Sequence, residues 1–269
     1  MVGFQHSKMN GYQNGHQPVG LRQPRLPNRT LNIALVVGVL ILLVILVAGG
    51  VGWFFLKNQT SRVSNVSPTP TPSVPPLFSD SFQNNNNGWD LTSVTGKYTV
   101  KVGGGSMVLE DDDNKLLWEL VPGTKVFSNF KLTVDATLSR GDQSNGYGVF
   151  IRGASNQNSQ LATYYRFELY GDGTYAVFKG VVDANGNSKS NALVDDTMDS
   201  AIQKQGTVNH VTIDANGPSM AFIVNGQTLT TVTDQSYAGG SVALFVSNLP
   251  PPTPPVAQAT FNKLAIYPV

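Results

Sequence analysis

The sequence predicts an all-β protein: an antiparallel two-sheet sandwich preceded by one transmembrane α-helix and a disordered Pro-rich linker. Three features predict it: short runs of alternating apolar residues across 77–269, turn residues between those runs, and one uncharged apolar stretch at 31–56. Charged residues make up 13% of the chain, which also holds 27 Gly and 16 Pro. This composition is typical of many short strands joined by turns.

The first segment of the chain, residues 1–30, is a basic tail. It carries Lys8, Arg22, Arg25 and Arg29 and no acidic residue, and it is rich in Gln, Asn and Gly. Without an apolar pattern, it cannot bury enough surface to offset the entropy of folding. We therefore expect this tail to be disordered.

The apolar stretch, residues 31–56, reads LNIALVVGVLILLVILVAGGVGWFFL. As a helix it is roughly 39 Å long, enough to cross a hydrocarbon core of about 30 Å. Two other interpretations of this stretch are less suitable. A helix buried in a protein core would not be uncharged on every side. A signal peptide has a shorter apolar region and a small-residue cleavage site, which residues 47–50 lack. We expect a helix embedded in membrane lipid. Ala34 and Gly38 are small residues four positions apart, a spacing that allows two such helices to pack closely, so a homodimer through this helix is an open alternative.

The charges that flank the span predict its orientation. The basic excess before residue 31 places the N-terminus in the cytoplasm and residues 57–269 outside the cell, in a single-pass protein of the cell membrane. Residues 57–76 are rich in Ser, Thr and Pro, which favour an extended linker.

Composition excludes several functions. The chain has no Cys, so disulfides, thiol catalysis and Cys-type zinc sites are excluded. From Asp80 onward there are 17 acidic against 12 basic residues. A mildly acidic domain repels phosphate backbones, so we expect no nucleic-acid partner.

Alternating apolar residues predict the strands of the domain at 77–269. The predicted strands are 97–102, 105–110, 115–121, 129–138, 146–152, 162–170, 173–180, 207–214, 219–224, 227–233, 241–247 and 259–267. Asn225-Gly226 is typical of a two-residue type I′ hairpin, which would place Phe222 opposite Leu229. One short helix is predicted near 195–204, DDTMDSAIQK.

Several of these runs resemble a known fold family. LFSDSFQNNNNGW, GYGVFIRG, YYRFELYGDGTYAVFKG and GGSVALFVSN are similar to strands of concanavalin A-like lectin/glucanase jelly rolls. The resemblance covers 77–269 and is closest to the laminin-G-like and 3-keto-disaccharide-hydrolase-like branch. It implies a jelly roll on the surface of a bacterial cell, and it does not choose between enzyme, lectin and spacer.

The catalytic pattern of the resembled glucanases, two Glu and an Asp alternating along one strand, is missing. The domain holds only Glu110, Glu119 and Glu168. The run EDDDN at 110–114 ends in Asn where that pattern needs an acid, and we interpret it as a solvated turn. His210 alternates with apolar neighbours and is interpreted as a structural sheet residue. We therefore expect no catalytic residues and a protein that is not an enzyme.

The acidic residues also bear on metal binding. Candidates for a structural calcium site are Asp111, Asp112, Asp113 and Asp183. The EF-hand pattern that begins at Asp183 fails at Ser188 and Val194. A structural calcium ion is left open, and no other cofactor is expected.

The strands at 162–180 carry the candidate ligand site. With Asp172-Gly173 at the hairpin tip and Tyr170 opposite Tyr175, the core face would hold Tyr165, Phe167, Leu169, Ala176 and Phe178. The candidate ligand residues would share the other face: Tyr164, Arg166, Glu168, Tyr170, Tyr175 and Lys179, joined by Arg152 from the preceding strand. Aromatic rings beside charged groups suit sugar binding. The alternative is an ordinary solvent-facing sheet.

Three functions follow from these features. The preferred one is a membrane-anchored module that binds carbohydrate or cell-wall polymer. A hydrolase or lyase acting on sugar derivatives is the second. A passive spacer or assembly protein is the third, suggested by the proline run at 250–255.

Overall fold

A computed structural model describes residues 74–113, 115–155, 161–182, 188–248 and 256–269. The predicted tail, the predicted membrane helix and the proline run lie outside these residues. Within the described ranges, no helix is both long enough and apolar enough to cross a membrane.

The described part of the chain is built from antiparallel β-strands. They are β1 (Phe78–Asp80), β2 (Tyr98–Gly103), β3 (Ser106–Asp111), β4 (Leu116–Leu120), β5 (Phe130–Arg140), β6 (Gly146–Ser155), β7 (Leu161–Tyr170), β8 (Thr174–Val182), β9 (Ser188–Met198), β10 (Asn209–Asn216), β11 (Ser219–Val224), β12 (Gln227–Thr233), β13 (Ser241–Ser247) and β14 (Ala257–Pro268). Each strand predicted from alternation corresponds to one of these.

The strands form two sheets. The eight-stranded sheet has the order β12-β11-β10-β5-β14-β3-β2, with β1 also paired to β14. The six-stranded sheet has the order β4-β13-β6-β7-β8-β9. The predicted all-β, two-sheet antiparallel sandwich is confirmed.

The hydrophobic core lies between the two sheets. Alternate residues of β5, such as Leu132 and Val134, face alternate residues of β7, such as Phe167. Phe167 and Phe222 belong to opposite sheets, and their ring centroids are 4.8 Å apart. Because strand side chains alternate with period two, the remaining residues of each strand face outward.

The opening stretch LFSDSFQNNNNGW folds around the carboxylate of Asp80. Asp80 Oδ1 accepts a hydrogen bond from Phe82 N (2.6 Å), and Oδ2 accepts from Trp89 Nε1 (2.7 Å) and Asn87 Nδ2 (2.7 Å). The ring of Trp89 packs 5.7 Å from that of Phe82. A buried carboxylate with three donors fixes the start of the sandwich.

The Asn225-Gly226 turn is the predicted two-residue hairpin. Its φ angles are 52° and 83°, and Val224 pairs with Gln227. Two positive φ values are what a type I′ turn requires. A bulge next to the turn places Phe222 opposite Thr230, so the predicted pairing with Leu229 was wrong.

The predicted helix at 195–204 was wrong. Residues up to Met198 continue β9, which pairs with β8, and turns follow it. The backbone edge of β8 supplies cross-strand hydrogen bonds that outweigh the weak helix propensity of the segment. The side chain of Met198 is 72% exposed, and Ile202, in the turns that follow β9, packs into the core.

Candidate saccharide-binding site on the six-stranded sheet

The β7–β8 hairpin sets which side chains share a face. Leu169 pairs with Tyr175, and Gly173 N donates to Tyr170 O (3.2 Å), so the loop has three residues, 171–173. The predicted register differs from this by one residue. A shift of one residue moves every side chain of a strand to the other face. The predicted faces of β8 were therefore wrong.

Tyr175 and Lys179 point toward the eight-stranded sheet. Lys179 Nζ lies 2.8 Å from Asp234 Oδ2, and Tyr175 Oη donates to Leu229 O (3.3 Å). The opposite face of β8 carries Ala176 and Phe178, which the sequence had assigned to the core. The predicted grouping of Tyr175 and Lys179 with Tyr164 is corrected accordingly.

Arg152 is also absent from the predicted face. It lies at a bulge of β6 with φ 52°, and its side chain is buried at the end of the sandwich. Its Nη2 donates to Ser128 O (2.9 Å) and Gly217 O (2.7 Å), and its Nη1 to Tyr237 O (3.3 Å). Because the bulge reverses the alternation of β6, Arg152 joins three loops rather than a ligand surface.

Tyr164, Arg166, Glu168 and Tyr170 do share one face, as predicted. We call the side of the six-stranded sheet that faces away from the core the outer face. Its aromatic and charged residues are Trp118, Phe150, Tyr164, Arg166, Glu168, Tyr170, Phe178 and Phe245.

The rings of the outer face form one cluster. The ring centroid of Phe150 lies 4.7 Å from that of Tyr164, nearly perpendicular, and 4.8 Å from that of Phe245. Both distances fall in the favourable range for aromatic pairs. Phe150 and Phe245 are buried, while Trp118 and Phe178 are half-buried. The cluster therefore has a closed floor and accessible rings at its sides.

Glycine makes room for the large side chains of this face. A Cβ on Gly180, opposite Tyr164, would overlap the Tyr164 ring. A Cβ on Gly146 would overlap the carboxylate of Glu168. Both glycines lie in strands, where Gly marks a close approach of another group.

Arg166 and Glu168 form the charged centre of the face. Arg166 Nη2 lies 3.0 Å from Glu168 Oε2, and both side chains are almost fully buried. The guanidinium carbon is 4.4 Å from the centre of the Phe178 ring, a cation–π arrangement. Among the described residues, the buried Arg166 Nε has no hydrogen-bond partner, and the same holds for the buried Arg152 Nε.

Burial raises the pKa of Glu168 above its ordinary value. Arg166 and hydrogen bonds from Tyr170 and Ser247 oppose that rise, and the charge of Asp196 adds to it. Burial also raises the pKa of Tyr170, and the charge of Glu168 contributes. Glu168 thus interacts with both Arg166 and Tyr170, and its own side chain is only 2% exposed.

The sequence prediction missed Trp118, Phe150, Ala176, Phe178 and Phe245. A signal for Phe245 is present in SVALFVS, because a continuous apolar run indicates a strand covered on both faces. For Phe178 the missing information was the length of the hairpin loop.

The acidic run at 110–114 is not the solvated turn that was predicted, because Glu110 and Asp111 belong to β3 and Asp111 is buried. Asp111 Oδ2 accepts from Lys115 N (2.8 Å), and Asp113 pairs with Lys115 Nζ at 2.9 Å. Among the residues that the structure describes, no group of three or more His, Asp or Glu could hold a metal ion. Asp183 lies outside those residues.

His210 lies on the opposite side of the molecule, on the exterior of the eight-stranded sheet. Its Nδ1 is 2.5 Å from Asp135 Oδ1, and Lys263 Nζ is 3.1 Å from Asp135 Oδ2. The flanking Val211 and Ile213 face the core. This placement agrees with the interpretation of His210 as a structural sheet residue.

The two-sheet antiparallel β-sandwich is similar in fold to several solved structures. The chain is similar to the κ-carrageenase of Pseudoalteromonas carrageenovora, solved with an oligotetrasaccharide of κ-carrageenan, at 9% identity over 76% of this chain and 99% of that chain, with TM-score 0.52. It is also similar to a GlcNAcα1-4Gal-releasing endo-β-galactosidase from Clostridium perfringens, at 10% identity over 75% of this chain and 65% of that chain, with TM-score 0.51.

The family follows from a second comparison. The chain belongs to the 3-keto-α-glucoside-1,2-lyase-like domain family, whose model matches residues 76–256, more than half of its length. Among curated proteins, none matches the chain significantly. The family and its structural neighbours were both anticipated by the resemblance of the strand sequences.

Proposed function

We propose that this protein is a carbohydrate-binding module whose ligand lies on the outer face of the six-stranded sheet. The observation that carries the proposal is the aromatic cluster around the Arg166–Glu168 pair. The half-buried rings of Trp118 and Phe178 offer apolar surfaces for the C–H side of a sugar ring. The guanidinium of Arg166, whose side chain is 10% exposed, offers hydrogen bonds for hydroxyls, and the buried carboxyl group of Glu168 holds it in place.

The comparisons support a saccharide rather than another ligand. The family is named for a lyase of a glucoside derivative, and the two structural neighbours are enzymes that act on polysaccharide or oligosaccharide chains. A fold alone does not define a ligand, and the residues of the face supply the chemical argument.

A glycan array probed with the full-length chain tests the proposal. We expect binding to at least one carbohydrate or cell-wall polymer, lost in Arg166→Ala and weakened in Phe178→Ala. The matched control is Tyr267→Ala, which removes a ring that is 36% exposed at the far end of β14. A wild-type protein that binds no glycan, or variants that bind as the wild type does, would contradict the proposal.

We further propose that residues 31–56 anchor this module in the membrane of a bacterial cell, with the domain outside. The support is the uncharged stretch and the basic residues before it. Protease added to intact cells should remove the domain and leave the N-terminal tail protected. Cleavage only after the cells are lysed would reverse the proposed orientation.

A hydrolase or lyase acting on sugar derivatives is the second candidate, and family membership favours it. Glu168 and Asp196 would be the carboxyl groups nearest the aromatic cluster. Turnover of a bound glycan that disappears in Glu168→Gln would support this activity. Unchanged glycan after prolonged incubation with a protein that binds it would favour the binding module.

A further inference from the structure

A cleft lies at the open edge of the six-stranded sheet, apart from the centre of the outer face. β4 is the last strand of its sheet and pairs only with β13. Between β4 and the segment 88–98 lie two adjoining cavities of about 570 Å³ and 240 Å³. The residues that line both cavities are Asp90, Tyr98, Trp118 and Glu119. We call this pair of cavities the edge cleft.

Glu119 brings an unused carboxyl group to the edge cleft. Within the described part of the chain it makes no hydrogen bond or ion pair, although it is half-buried. Burial, with a contribution from the charge of Asp90, raises the pKa of Glu119 to about 8. This rise favours the protonated carboxyl group, which can donate one hydrogen bond and accept others.

Asp90 supplies the complementary group. Its Oδ1 accepts hydrogen bonds from Thr92 N (2.9 Å) and Thr92 Oγ1 (2.6 Å), which leaves Oδ2 available. The side-chain hydrogen bond from Thr92 is the largest cause that lowers the pKa of Asp90. The edge cleft thus holds a carboxylate acceptor beside a carboxylic acid donor, two roles set by two environments.

The remaining lining indicates the chemical class of ligand. Tyr98 and Trp118 contribute aromatic rings, and the larger cavity is of the size that small-molecule sites have. The described residues that line these two cavities include no Lys or Arg. A sulfated or uronic sugar would therefore meet negative charge without compensation, whereas a neutral sugar presents hydroxyls and apolar C–H groups.

We propose that the edge cleft is a second saccharide-binding site, which takes a neutral sugar unit between Tyr98, Trp118 and the Asp90–Glu119 pair. It adjoins the outer face at Trp118 but otherwise uses different residues. The proposal does not depend on the outer-face site, because its observations are the cavities, the unbonded carboxyl group of Glu119 and the available Oδ2 of Asp90.

Calorimetric titration of the full-length chain with maltotetraose, cellotetraose and laminaritetraose tests the proposal, in buffer without sugar-containing detergent. We expect at least one to bind, with affinity reduced about tenfold in Tyr98→Ala, as the loss of one stacking ring predicts. Asp90→Asn should weaken binding, and Arg166→Ala, on the outer face, should leave this site intact. Thermal unfolding of each variant shows whether it is folded.

The pH dependence of sugar binding to the edge cleft provides a second measurement. Binding should weaken as the pH rises through about 8, where Glu119 loses its proton. Glu119→Gln keeps a donor at every pH, so its affinity should lack this decline. The other charged groups nearby are Asp90 in the cleft itself, and Lys97, Asp111, Asp113 and Lys115 in the neighbouring cavity.

Two results would contradict the proposal that the edge cleft binds sugar. The first is a wild-type protein that binds none of the three tetrasaccharides. The second is binding that Arg166→Ala abolishes while Tyr98→Ala and Asp90→Asn leave it unchanged. That second pattern would show that the tetrasaccharides bind at the outer face and not in the edge cleft. Loss in the edge-cleft variants alone would support the cleft, and the outer face is tested separately by the glycan array.

Discussion

At the scale of single residues, Arg152 illustrates a charged side chain that stabilises the fold. Its guanidinium is 1% exposed and donates to three backbone carbonyls from three different loops. Burial lowers its pKa from the ordinary value, although an arginine stays charged. The hydrogen bonds compensate the cost of removing the charge from water.

Replacing Arg152 should therefore destabilise the protein. We expect Arg152→Met to lower the free energy of unfolding by about 3 kcal/mol, because buried carbonyls lose their donors. Denaturant unfolding of the full-length chain measures the change. Arg140→Met is the matched control, since Arg140 is exposed and its ion pair with Glu110 is long, at 3.6 Å. Equal effects of the two substitutions would contradict a structural role for Arg152.

Glu119 makes stability depend on pH. Its pKa is about 8 in the folded protein and near the ordinary 4.5 in the unfolded chain, so folding favours the protonated form. Its contribution is complete below pH 4.5 and is lost as the pH rises through about 8. We expect Glu119→Gln to unfold at a higher temperature than the wild type near pH 8, with the difference vanishing toward pH 4.5.

Thermal unfolding across that pH range provides the measurement. Glu110→Gln, which removes a carboxyl group from the surface pair with Arg140, controls for the loss of one negative charge. A difference between Glu119→Gln and wild type that does not grow with pH would show that Glu119 is ionised throughout.

At the scale of elements, the strands follow from local patterns but their faces depend on loop geometry. Alternation in FKLTVDATLSR is enough to predict β5 and its buried side. For β8, a loop of three residues instead of two reversed the assignment of Phe178 and Lys179. The bulge at Arg152 had the same effect on β6. Neither loop length nor bulge position is encoded in apolar alternation.

A substitution at Gly180 tests how closely β7 and β8 pack, because the Tyr164 ring lies over this glycine. We expect Gly180→Ala to destabilise the protein by about 2 kcal/mol and to weaken glycan binding on the outer face, because the new methyl group displaces the Tyr164 ring. Unfolding and glycan-array measurements on one preparation give both values. Ser190→Ala, at the residue that pairs with Gly180 in β9, should change neither, since Ser190 is exposed. Wild-type behaviour of Gly180→Ala would mean that Tyr164 has room to move.

At the scale of the whole molecule, the sandwich depends on contacts between sheets. Phe167 of β7 and Phe222 of β11 are both fully buried and their rings touch across the core. The two residues are far apart in the chain, so their contact forms only when the sheets stack. Truncating either ring removes apolar contacts from both sheets.

A double-mutant cycle measures this inter-sheet contact. We expect Phe167→Leu and Phe222→Leu each to destabilise the protein, with a coupling energy of about 1 kcal/mol between them. The pair Phe150→Leu and Phe222→Leu is the control, because Phe150 lies on the outer face. A coupling near zero for Phe167 and Phe222 would contradict the stacking of β7 on β11.

The sequence by itself determined the class of fold and the strands that carry Tyr164, Arg166 and Glu168, because period-two alternation and turn residues act over a few neighbouring positions. The family came from the resemblance of several strand sequences to known ones. The sequence also determined the Asn225-Gly226 hairpin, whose positive φ angles are a local requirement. Only the tertiary structure decided that Trp118, Phe150 and Phe245 meet beside Arg166, and that Asp90 and Glu119 line one cleft. These groups come from strands and a loop that are separated in sequence, and sheet order and register, rather than local propensity, bring them together.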